Sequence, residues 1–317
     1  MIAGEASGDK LGGAALAGLK SLVPDLEIYG VGGPLMQAQG LESLFPMDEL
    51  SVMGIAEVLP KYRHLKRRIA QTAEAVLDLK PDVLLTIDSP DFSLRVARRV
   101  KAASAIRTVH YVAPTVWAWR PGRAKKMVGV VDQVLALFPF EPPYMEAVGI
   151  RCDFVGHPVV AEPVATEAEV TAFRAEHSLG TSPVLLALPG SRRGEIGRLA
   201  GRFGAALGPV LAAHPDMRVV VPAAPGVTDL VRDAVRAWPG APLVVDSAAE
   251  KRAAFKAANA ALAASGTVSL ELAASGTPMV IAYDMNWLSR QIIKRMLKVD
   301  TVTLVNLVSD TRVVPEF

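Results

Sequence analysis

Two carboxylates share one predicted strand-to-helix turn in Val83-Leu-Leu-Thr-Ile-Asp88-Ser89-Pro90-Asp91. Ser89 reads as an N-cap and Pro90 as the first helical residue. Asp91 then falls in the first turn, where the helix dipole favours an anion, so it has a structural reason to be there. Asp88 has none so plain. At the carboxyl tip of a buried strand it can accept a proton from a substrate hydroxyl. The competing reading pairs it with a loop N–H or a basic side chain. Glu5, in the first predicted βα loop, is the next carboxylate for the same place.

The second half of the chain holds two junctions of a different kind. Ala260-Ala-Leu-Ala-Ala-Ser265-Gly266-Thr267 reads as a buried strand that breaks into a helix start. Such a start leaves backbone N–H groups free, with no bulk at Gly266 and a hydroxyl at Thr267, and suits a phosphate. Glu271 follows one turn later and can accept hydrogen bonds from ribose hydroxyls. Val184-Leu-Leu-Ala-Leu-Pro-Gly190-Ser191-Arg192 is built alike and adds a guanidinium for phosphate oxygens. Either turn alone could be an ordinary βα loop. The pair points to a diphosphate nucleotide, without the mononucleotide lysine motif or a full Gly-x-Gly-x-x-Gly.

Strand-like runs must position these turns. They fall at Glu27–Val31, Val83–Asp88, Thr108–Val112, Gln133–Phe138 and Cys152–Gly156, then Val184–Leu188, Arg218–Pro222, Leu243–Asp246, Ala260–Ala264, Met279–Tyr283 and Thr301–Leu304. Helical patterns fill most gaps, which predicts parallel sheets with helices on both faces. The rhythm breaks at Val155-Gly-His-Pro-Val-Val-Ala-Glu-Pro163, and the next helix begins near Thr166. Two Rossmann-like domains, 1–158 and 159–317, are therefore expected, with ligands in a cleft outside the carboxyl ends of the strands. Both ends look cut: the first strand is a stub, and no closing helix follows the last.

Composition narrows the partners. Net charge is +2, from 34 basic and 32 acidic residues, so no bulk polyelectrolyte is implied, and no nucleic-acid motif occurs. The single cysteine, Cys152, excludes an intrachain disulfide. The five histidines show no zinc-binding spacing. No stretch has the length and apolarity of a membrane span. A cationic face does stand out. No acidic residue lies between Phe92 and Val131, a stretch with Arg95, Arg98, Arg99, Lys101, Arg107, Arg120, Arg123, Lys125 and Lys126. Upstream, Val58, Leu59, Tyr62, Leu65 and Ile69 make an apolar stripe interleaved with Lys61, Arg63, Lys66, Arg67 and Arg68. Helices of this type lie on anionic lipid, although one such stripe can equally face its own core. Trp117 and Trp119 add interface-loving aromatics on a loop.

The motifs Gly4-Glu-Ala-Ser-Gly-Asp9, Val52-Met-Gly-Ile-Ala-Glu-Val58, Ile87-Asp-Ser-Pro-Asp-Phe92, His110-Tyr-Val-Ala-Pro-Thr-Val-Trp-Ala-Trp119, Phe154-Val-Gly-His157, Leu188-Pro-Gly-Ser-Arg192 and Ala264-Ser-Gly-Thr267 occur in order. In them the whole chain closely resembles the lipid-A-disaccharide synthase family. The resemblance implies a GT-B architecture, two Rossmann-like parallel-sheet domains facing a central cleft. It implies a metal-independent, inverting glycosyltransferase with no cofactor, joining UDP-2,3-diacylglucosamine to 2,3-diacylglucosamine 1-phosphate (lipid X). The products are the β-1′,6-linked lipid A disaccharide 1-phosphate and UDP. Carried over residue by residue, Asp88 is the base, and Glu5, Ser7 and Asp91 line the acceptor side. Ser191, Arg192, Ser265, Gly266, Thr267, Glu271 and Asn306 hold the nucleotide. The family also implies a cytoplasmic enzyme, peripheral on the anionic inner membrane of Gram-negative bacteria. Its members start with a fuller first strand and continue past Phe317 in a tail that crosses to the partner of a homodimer.

Three other readings compete. One is another GT-B UDP-sugar transferase or a UDP-sugar epimerase acting on a soluble sugar. Another is a dinucleotide-dependent oxidoreductase, suggested by Gly30-Val-Gly32-Gly33 but lacking the full spacing and a clear second strand. The third is a non-catalytic membrane scaffold, which leaves Asp88 and both phosphate junctions unexplained.

Overall fold

Alternate residues of the central strands enter different cores. In the computed structural model, Val184, Leu186 and Leu188 of one strand join one buried cluster, while Leu185 and Ala187 join another. Because side chains alternate across a strand, such a strand is covered on both faces, as parallel sheets require. The structure describes residues 1–50, 55–118, 122–224, 226–285, 291 and 299–317, without the side chains of 55–61. It divides into two compact units, Met1–Pro158 and Val159–Phe317.

The first unit has strands β1 (Ile2–Ala3), β2 (Tyr29–Gly30), β3 (Glu42–Ser43), β4 (Val83–Ile87), β5 (Arg107–Tyr111), β6 (Gln133–Ala136) and β7 (Arg151–Phe154). Its main sheet is parallel in the order β1-β4-β5-β6-β7. β2 pairs with β3, and Val31 bridges to Ile2, so β2 continues the sheet beyond β1. Helices α1 (Ala6–Leu22), α2 (Pro34–Ala38), α3 (Ile55–Leu79), α4 (Pro90–Ala103), α5 (Gly122–Lys125) and α6 (Pro142–Glu146) connect these strands.

The second unit opens with α7 (Glu167–Glu176), started by a capping box between Thr166 and Glu169. Then follow β8 (Val184–Leu188), α8 (Arg193–Ala213), β9 (Arg218–Pro222), α9 (Thr228–Val235), β10 (Leu243–Val245), α10 (Ala248–Ala257), β11 (Ala260–Ala264), α11 (Val268–Ala274), β12 (Met279–Ala282) and a last helix, Leu304–Ser309. The parallel order is β10-β9-β8-β11-β12. Helix α11 stops where Gly276 turns left-handed (φ 73°), just before Pro278.

Two readings of the sequence need correction. Thr301–Leu304 is not a strand: Thr303 is the N-cap residue of the last helix. The segment Pro315–Phe317 pairs instead, with Ile281 N–H donating to Pro315 O (2.9 Å) and Phe317 N–H to Ile281 O (2.9 Å), alongside β12. The short strand β3, which no apolar run announces, is the other difference.

Candidate active site

In each sheet the chain winds one way from a central strand and the other way from its neighbour. These switch points lie between β1 and β4 and between β8 and β11. At such a point the loops after the two strands diverge and leave room for a ligand. All four junctions singled out by residue chemistry stand there. Glu5 and Ser7 follow β1, Asp88 and Asp91 follow β4, Ser191 and Arg192 follow β8, and Ser265–Thr267 follow β11.

The first unit builds its junction tightly. A Cβ on Gly4 would lie 2.7 Å from Ser89 Oγ and 2.9 Å from Ser89 Cβ, so the turn after β1 needs glycine to rest on the turn after β4. Asp88 and Ser89 are both left-handed, with φ 47° and 43°, which Asp tolerates better than most residues. Ser89 is the N-cap residue by position, but its hydroxyl makes no cap bond. Asp88 N–H donates to Tyr111 O (2.9 Å), tying the turn to the end of β5. Its half-buried carboxylate has no hydrogen-bond or ionic partner among the described residues. Asp91 and Ser7 are exposed in the first turns of α4 and α1, and Glu5 is the N-cap residue of α1. Two residues before Asp88, the buried Thr86 hydroxyl meets His110 Nδ1 at 2.8 Å. Burial pushes His110 down to about 4, so this imidazole stays neutral.

The second unit offers two turns. After β8, Gly190 is left-handed (φ 116°) and a Cβ there would lie 2.6 Å from Glu195 Cβ. The Glu195 carboxylate accepts from Ser191 N–H (3.2 Å) and pairs with Arg192 (3.0 Å). The Arg192 side chain is 64 % exposed, so the guanidinium is steadied at one nitrogen and open at the others. After β11, Gly266 and Thr267 are exposed, and no atom of the described residues lies within 4 Å of a Cβ built on Gly266. Its φ is not left-handed either, so neither conformation nor packing among the described residues asks for glycine there. Glu271 pairs with Lys251 at 2.5 Å, which sets its carboxylate from the neighbouring α10. Asn306 is buried, and its amide brackets Val314: Nδ2 donates to Val314 O (2.9 Å) and Oδ1 accepts from Val314 N–H (3.0 Å). That amide supports the closing segment, whatever else it touches.

Sequence reasoning missed Asp9, Glu195 and Lys251. Asp9 is 3 % exposed and accepts from Gly33 N–H (2.9 Å), Leu35 N–H (3.0 Å) and Met36 N–H (3.0 Å). The Gly30-Val-Gly32-Gly33 turn therefore already holds a carboxylate where a dinucleotide would place its pyrophosphate. An Asp in the first turn of α1, set against a Gly-Pro helix start far along the chain, was the available signal.

The cationic face divides. Arg95, Arg98 and Arg99 of α4 and Arg63, Lys66 and Arg67 of α3 are exposed. Arg68 is not free: Nε (2.7 Å) and Nη2 (2.8 Å) grip Glu49. Tyr62 is 48 % exposed and Leu65 half-buried. Ile69 sits in the core of the first unit, a correction to the expectation that it faces lipid. The side chains of Val58 and Leu59 lie outside the described residues. Trp117 is buried as well, and Trp119 lies outside the described residues. No described helix is long and apolar enough to cross a membrane.

Comparison with known proteins identifies the family. A family model described as lipid-A-disaccharide synthetase matches residues 1–317. The chain belongs to this family. The lipid-A-disaccharide synthase of Ruegeria pomeroyi is 68 % identical over 324 residues, covering 100 % of this chain and 81 % of that protein. That of Rhodospirillum centenum is 49 % identical, covering 100 % and 79 %. Among solved structures, UDP-GlcNAc 2-epimerase from Neisseria meningitidis bound to UDP-GlcNAc superposes with TM-score 0.57 at 13 % identity, over 87 % of this chain and 78 % of that one. Anabaena HepE in complex with UDP-glucose gives 0.55 at 12 %, over 91 % and 80 %. Those likenesses concern fold alone. The chain is a GT-B glycosyltransferase of lipid A biosynthesis.

Proposed function

We propose that the first unit takes the lipid acceptor and the second the UDP-sugar, with Asp88 as the general base. In this reading the 6-hydroxyl of 2,3-diacylglucosamine 1-phosphate attacks the anomeric carbon of UDP-2,3-diacylglucosamine. The new C–O bond forms on the face opposite the breaking bond to UDP, inverting the centre, and Asp88 takes the hydroxyl proton. Glu5, Ser7 and Asp91 line the acceptor side. Negative charge grows on the departing diphosphate. The Arg192 guanidinium and the Ser265–Thr267 backbone N–H groups meet it in place of a metal. Ser191 lies beside the same phosphates, Glu271 takes the ribose hydroxyls, and Asn306 borders the nucleotide.

One observation carries the reading. A carboxylate without a partner among the described residues stands at the switch point of one sheet, and two anion-receptive turns stand at that of the other. The exposed cations of α3 and α4, with Tyr62 and Leu65, suit an anionic inner-membrane surface where both acylated substrates reside. A homodimer completes the reading, as the family resemblance implies. The test is product formation from UDP-2,3-diacylglucosamine plus lipid X in detergent, with and without EDTA. Disaccharide in both conditions is the expected result. Loss of product in EDTA refutes the metal-free step. Conversion of UDP-GlcNAc at its C2, with no disaccharide, replaces the reading by the epimerase one.

A further inference from the structure

One buried carboxylate on the carboxyl edge of the first sheet takes no part in that mechanism. Glu141 is 4 % exposed and accepts from Leu137 N–H (3.0 Å), Phe138 N–H (3.0 Å) and the Trp117 indole N–H. It does not serve the helix it precedes. Helix α6 opens with Pro142-Pro143, which have no N–H to cap, and the Glu141 side chain makes no cap bond. Its three donors belong instead to the loops after β5 and β6.

Those loops continue a ladder that starts at Asp88. Asp88 N–H bonds Tyr111 O (2.9 Å), and Val112 N–H bonds Leu135 O (3.0 Å). Val112 then turns to φ 83°, a strained conformation for a β-branched residue that persists only where its surroundings over-determine it. The Trp117 ring meets Phe140 edge-on at 5.2 Å, Phe140 stacks on Phe138 at 5.4 Å, and Phe138 on His157 at 5.5 Å. We propose that Glu141 is a positioning residue: through Trp117 it locks the β5 loop onto the β6 loop, and so fixes the backbone that carries Asp88. A carboxylate is the group able to hold three converging N–H donors at once. Burial raises its pKa to about 7 against the pull of those donors, so the lock weakens as the proton is taken up.

Among the described residues, the titratable groups around Glu141 are few. Cys152 of β7 is pushed up to about 12 and stays a thiol, with Glu146 and Asp153 also acting on it. His157 lies across the Phe138 ring. The kinetic arm of the test rests on the glycosyltransferase reading, whereas a fluorescence arm does not. In wild type, tryptophan emission should titrate with a midpoint of about 7, and in E141Q and in W117F that transition should vanish. Survival of the midpoint in E141Q places the titrating group elsewhere and overturns the proposal. In disaccharide synthesis, E141Q and W117F should each lower kcat by about 10- to 100-fold, the cost of a misplaced reacting group, with UDP affinity unchanged. W117F keeps an aromatic ring but loses the five-membered half of the indole with its N–H, and because it leaves Glu141 in place it reports even if E141Q does not fold. A folded W117F with wild-type kcat also overturns the proposal. Should the fluorescence transition behave as expected while wild type makes no disaccharide, the transferase reading fails and the lock stands.

Discussion

Replacing Asp9 by alanine should destabilise the first unit far more than an ordinary helix-surface change. The carboxylate is nearly inaccessible and gathers the Gly33, Leu35 and Met36 amides at 2.9–3.0 Å. Hydrogen bonds to a charged group are worth roughly 1.5–3 kcal/mol each. They do not add, because α2 is short and part of its first turn can turn toward water. We therefore expect a loss of about 3–5 kcal/mol, the range for stripping one partner from a buried charged network. In a unit of this size that lowers Tm by roughly 10 °C. Asp9→Asn separates the contributions. Oδ1 holds Gly33 and Met36 and survives the change, while the Leu35 amide on Oδ2 meets an NH2 group. Its cost should be about 1–2 kcal/mol, from one lost bond. Gly33→Ala should copy the alanine variant, since its Cβ would lie 2.6 Å from Asp9 Oδ2. Urea unfolding followed by circular dichroism gives the free energies, and amide exchange at Leu35 and Met36 localises them. If Asp9→Ala costs less than about 1 kcal/mol, the size of a single neutral bond, the network is not what holds α2.

Other perturbations follow from the same geometry. Asp88→Asn should lower kcat by at least roughly 100-fold while leaving UDP affinity by calorimetry unchanged; normal turnover in a folded variant makes Glu5 the next candidate base. Glu271→Ala should weaken UDP binding by about 1–3 kcal/mol, and an unaltered isotherm would move the ribose site elsewhere. Tyr62→Ser with Leu65→Ser should reduce binding to anionic vesicles at nearly constant Tm. Ile69→Ala, by contrast, should cost about 2–5 kcal/mol of stability, with vesicle binding of the folded protein retained.

Most strands could be read directly, because a run such as Val184–Leu188 is apolar at every position and ends in Pro-Gly. The four turns could be located for the same reason: local composition marks where a strand ends and a helix begins. What stayed hidden depends on contacts between residues far apart in sequence. Asp9 acts on amides more than twenty residues away, Lys251 reaches Glu271 from another helix, and the buried Trp117 meets Glu141 from another loop. Thr301–Leu304 has the β-branched composition of a strand. Yet Glu316 accepts from Thr303 N–H (3.0 Å) and bonds the Thr301 hydroxyl, leaving this stretch outside the ladder. The stripe on α3 divided for a similar reason: a helical period shows that one face is apolar, not which part of it the sheet will cover.

The contact between Gly4 and Ser89 has a mechanical consequence. Helix α1 also presses on the sheet at Gly8, where a Cβ would lie 3.3 Å from both Ala3 Cβ and Ile87 O. The turn bearing Glu5 and the turn bearing Asp88 are thus wedged together, backbone on side chain, above adjacent strands. Neither can swing without pushing the other. The spacing between these two carboxylate-bearing turns is a property of the fold itself, set before any substrate arrives.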